Sequence, residues 1–153
     1  MTDRNVFVTS FLTAVLIVAG AFVLQQFFFF ELAKSTIFVA IAVMVFYGDN
    51  RFSYMLGIIA PVLGFIAAIL VGTFFGDFRV LFAYVSGKRV APLETPLHAL
   101  SYLVAVVLIF FSWRAWNKEV PEKFLGKTFW TCFAISLAYA VVLAVWYVRA
   151  VHA

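Results

Sequence analysis

Long uncharged runs broken by short polar stretches dominate this chain, and they predict helices rather than strands. The longest, Phe52–Gly76, passes 25 residues without a charge. At about 1.5 Å per residue it exceeds the roughly 30 Å hydrocarbon core of a bilayer. Ala60, Gly64, Ala68, Gly72 and Gly76 recur at every fourth position. On one helix they form a slowly winding seam where a neighbouring backbone can approach. This segment is therefore expected to be the central membrane helix.

The other runs fall around it. Asn5–Phe30 is uncharged for 26 residues, too long for a signal-peptide core of about 7–15 residues, and is expected to be a retained span. Two readings of its end are open. Phe27–Phe30 forms either an aromatic belt at the interface or, after a tight turn at Gln25-Gln26, the start of the next helix. The second option draws Glu31 and Lys34 into the bilayer as an i,i+3 ion pair, and intramembrane charges commonly serve function. The next uncharged core, Ser35–Gly48, has only 14 residues, short of the usual 17–25 or so. It crosses as a short helix extended to Leu32, or it is re-entrant.

Within Asp77–Glu94, Phe78, Leu81, Phe82 and Val85 follow helical spacing and predict a short helix along the interface, around 78–86. Lys88 and Arg89 come next, where anchoring to lipid headgroups is expected. Thr95-Pro96 has the form of a helix start, a capping hydroxyl followed by proline at the first helical position. The last run repeats the four-residue pattern with Thr128, Cys132, Ser136, Ala140 and Ala144, making it the expected packing partner of the central helix.

The expected fold is thus all-α: a polytopic membrane helix bundle in a single domain, 1–153. Its spans lie at about 6–28, 32–48, 52–76, 96–116 and 128–148, as five crossings or as four with one re-entrant segment. Composition agrees. Apolar residues make up 66% and charged residues 12%, against about 45–50% and 25% in soluble domains. The net charge of +4 is spread between the runs, not clustered on the basic face that nucleic-acid binding requires. Counting Lys and Arg on the two sides of five crossings yields six against five, so charge does not orient the chain. The cell or inner membrane is the expected location.

Candidate chemistry is sparse. The only cysteine, Cys132, excludes an internal disulfide and reads as a small packing residue. The metal-protease, dicysteine, P-loop and dinucleotide motifs are all missing. Two histidines form too thin a pattern for haem or a metal, so no cofactor or metal is expected. Pro61 with Gly57 and Gly64 could break the central helix and expose carbonyls. Besides Glu31 and Lys34, Glu94 and His98 stand four apart at a helix start, a second possible polar site. Their side of the bundle also collects Asp77, Arg79, Lys88, Arg89, Arg149 and His152. No grouping names a reaction, which points away from an enzyme. The expected role is a non-catalytic subunit or assembly component acting through helix contacts, with lipid and either another membrane protein or a second copy as partners. The alternatives are an oligomeric transporter or channel for ions, small molecules or lipids, and a lipid-modifying enzyme working near His98.

Overall fold

The computed structural model of the chain describes residues 2–88 and 95–152. Among them the fold is all-helical, with five helices long and apolar enough to cross a membrane. Helix α1 is Thr2–Val23, α2 Phe28–Phe46, α3 Asn50–Val71, α4 Thr73–Val85, α5 Leu97–Glu119 and α6 Lys127–His152. All but α4 have the length and hydropathy of a span.

The break between α1 and α2 falls at the glutamines. A single 3-10 turn, Gln25–Phe27, reverses the chain, closed by the Phe27 N–H on the Leu24 carbonyl at 2.9 Å. Phe28, Phe29 and Phe30 thus belong to α2, and Phe27 ends the turn. That helix needs no re-entrant path, because Phe28–Lys34 supplies the turns its uncharged core lacks.

Phe52–Gly76, expected as one span, is two helices. Gly72 turns left-handed at φ 86° and its N–H closes on the Ile69 carbonyl at 3.1 Å. A side chain resists that conformation and glycine does not, so α3 ends there. The helix expected near 78–86 accordingly begins earlier, at Thr73, and buries none of its residues. α3 runs unbroken through Pro61, so the helix break weighed there does not form. At the start of α5, Thr95 Oγ1 accepts from the Leu97 N–H at 3.2 Å, and Pro96 stands just outside the helix.

Packing divides the bundle into two halves. α1 lies against α2 and α5, while α3 lies against α5 and α6. Ser53 to Pro61 of α3 are buried without interruption. Around them Ile17, Ile41, Leu108 and Trp116 complete the tight core. Beyond Pro61 the residues of α3 are no longer fully buried, and α3 and α6 leave space between them.

At the tight end the Tyr54 hydroxyl meets the carboxylates of Asp3 and Glu119, the latter at 2.7 Å, tying α1, α3 and α5 together. Glu122 caps α6. It accepts from the Thr128 N–H at 3.2 Å and from the Thr128 hydroxyl at 2.7 Å, with Arg51 3.6 Å away.

Candidate functional site

The space beyond Pro61 is a partly open cavity of about 240 Å³ lined by α1, α2, α3, α5 and α6, with the start of α4 at its rim. Most of the wall is apolar. Gly64 and Ala68 face it from α3, and Ala140, Leu143 and Ala144 from α6. A Cβ built on Gly64 would meet nothing within 4 Å. The far halves of both small-residue seams therefore border empty volume; Ala60 and Ser136 also line it but are buried, as is Cys132. Gly72 and Gly76 lie beyond α3 and also have open space around them. The close backbone approach is made elsewhere: a Cβ on Gly57 would collide with the Ser112 hydroxyl of α5.

Charge gathers at one end of this cavity. Because α2 begins at Phe28, Glu31 falls in its first turn and faces inward, 6% exposed. A carboxylate there also complements the positive end of the helix dipole. Lys34, one turn on, places its Nζ 2.9 Å from Glu31 Oε2. The same oxygen lies 3.3 Å from Nε2 of His98 on α5. Across the ring, His98 Nδ1 lies 4.0 Å from Asp77 Oδ1 of α4. The four side chains form one connected line: Lys34, Glu31, His98, Asp77.

Glu31 Oε2 and His98 Nε2 are buried and neither makes a hydrogen bond of good geometry. Ser136 Oγ, also on the cavity wall, is buried and has no hydrogen-bond partner. Asp77 lies outside the spans, and its burial pushes its carboxyl above the usual aspartate range.

Aromatic rings close the walls. Phe30 meets Tyr147 at 5.5 Å between centroids, and Phe65 meets Tyr102 at 5.6 Å. The Tyr139 hydroxyl donates to the Ala33 carbonyl, fastening α6 to α2 beside the charged line.

The residues singled out from sequence are thus partly brought together. Glu31, Lys34 and His98 share one site, joined by Asp77. Glu94, expected beside His98, lies outside the described residues, as does Arg89. Lys88 is exposed, as are Arg79 and Arg149, and none of the three reaches the cluster. Among the described residues no three His, Cys, Asp or Glu side chains converge to hold a metal ion. Gly20, one of the small positions expected to serve helix contacts in the first span, packs against His98. A Cβ there would sit 2.9 Å from His98 Nε2, so its lack of a side chain makes room for the imidazole.

Comparison of the chain with models of known protein families, with curated proteins and with solved structures finds no match.

Proposed function

We propose that this membrane protein binds a small amphipathic molecule inside its helix bundle, as a carrier or transporter would. One observation carries the reading: an apolar cavity of about 240 Å³ ends in four ionisable side chains. Ligand sites are typically apolar pockets with a few convergent polar groups. Ionisable side chains facing the interior of a membrane bundle commonly mark substrate paths. Helix packing alone has no use for either feature, since filling the space with larger side chains would hold α3 to α6 more firmly.

The subunit role expected from the small-residue seams has less support. Gly64, Ala68, Ala140 and Ala144 border the cavity and so have a local reason to be small. A lipid-modifying role near His98 rests on an imidazole between two carboxylates, with no nucleophile joined to them.

Mass spectrometry of the intact protein released from mild detergent tests the binding role. The expected result is a small molecule retained by the natural chain and lost from Gly64→Phe, which fills the cavity. Identical masses on both chains would count against an internal site.

A further inference from the structure

We infer that the cavity selects lipophilic organic cations, held by Asp77 and by the aromatic walls, an inference that rests on the binding role proposed above. The charge balance of the site leads there. Lys34 is committed to Glu31 at 2.9 Å. Asp77 has the His98 ring at 4.0 Å and the Tyr102 hydroxyl as its neighbours, and among the described residues no lysine or arginine forms an ion pair with it. The two carboxylates and one ammonium of this line, Glu31, Asp77 and Lys34, sum to one negative charge. A bound cation brings the site to neutrality, and a bound anion doubles its imbalance. In a largely apolar cavity, an unbalanced charge is disfavoured.

The walls supply a second, independent attraction. Phe30 with Tyr147, from α2 and α6, and Phe65 with Tyr102, from α3 and α5, place ring surfaces around the same space. Aromatic faces attract a desolvated cation and repel an anion. Tyr102 and Asp77 both line the cavity, so ring and carboxylate can hold one ammonium group together. The rest of the ligand then lies along Gly64 and Ala68 toward Pro61, where no charged residue lines the wall. Ser136 Oγ, buried without a hydrogen-bond partner, waits there for a polar atom in the ligand's tail.

Three probes with the same apolar body separate charge from shape: phenylbutylammonium, phenylbutanol and phenylvalerate. Their binding to the full chain in nanodiscs is measured by calorimetry, with Gly64→Phe as the blank for partition into lipid. The expected order is ammonium over alcohol over carboxylate, with at least a roughly tenfold preference for the ammonium over the alcohol, the ratio that about 1.4 kcal/mol of added interaction produces. Asp77→Asn, at a partly exposed position, is expected to abolish that preference. Equal binding of ammonium and alcohol, or tighter binding of the carboxylate, would overturn the cation assignment and leave the cavity reading intact. Binding of all three that persists unchanged in Gly64→Phe would overturn both.

Discussion

Gly20 of α1 and His98 of α5 are fitted to each other: a Cβ on the glycine would lie 2.9 Å from the imidazole Nε2, the atom that faces Glu31. His98 is 5% exposed and walled in by α2 and α4. It has little freedom to yield, and the line of charged groups depends on its position.

Gly20→Ala is accordingly expected to push the ring off Glu31, at about 1–3 kcal/mol for overpacking a tight site. The carbon and nitrogen resonances of selectively labelled histidine report the ring's surroundings directly. Unshifted resonances in Gly20→Ala would mean that the ring tolerates the methyl group and that the fit is looser than the geometry indicates.

Two glycines of α3 should respond in opposite directions. At Gly57 an added methyl runs into the Ser112 hydroxyl, and Gly57→Ala is expected to lower thermal stability in detergent by about 1–3 kcal/mol. Ser112→Ala in the same chain should restore part of that loss. At Gly64 the methyl enters open space, so Gly64→Ala should be neutral or gain about 0.5–1 kcal/mol from helix propensity. Equal losses at both positions would show that the space beside Gly64 is filled.

Glu31→Ala leaves the Lys34 ammonium near the cavity without its carboxylate. Removing one partner of a buried pair costs about 3–5 kcal/mol, and Lys34, with 23% of its side chain exposed, is placed to recover some of that by reaching for water. Replacing Lys34 by Met in the Glu31→Ala chain removes the stranded charge and should regain stability. The double-mutant cycle isolates the pair. Additive losses across the cycle would show that the two groups do not interact.

The cap on α6 carries a pH dependence of known sign. Hydrogen bonds from the Thr128 hydroxyl and N–H hold the Glu122 carboxyl below the ordinary value of 4.5. A depressed folded value means that the unfolded chain binds the proton first. The stabilisation is thus complete above about pH 4.5 and is lost as pH falls through the folded value. Exchange of the Thr128 amide should quicken in that acid window, beyond its intrinsic trend, and Glu122→Gln should remove the window. A profile that is the same in the natural chain and Glu122→Gln would separate the carboxylate from the cap.

The apolar runs by themselves determined the helical character and the lipid environment and left the number of spans at four or five, because burying 20 or so apolar residues in a row is a local property of the chain. The i,i+3 placement of Glu31 and Lys34 was readable for the same reason, once the turn at Gln25-Gln26 was considered. Tertiary structure decided the rest. His98 meets Glu31 and Asp77 because three helices converge, and no spacing in one helix encodes that meeting. The four-residue seams were misleading over their far halves for a physical reason. Small residues permit a neighbour to come close and equally permit a space to stay open, and only the divergence of α3 and α6 beyond Pro61 selects the second outcome.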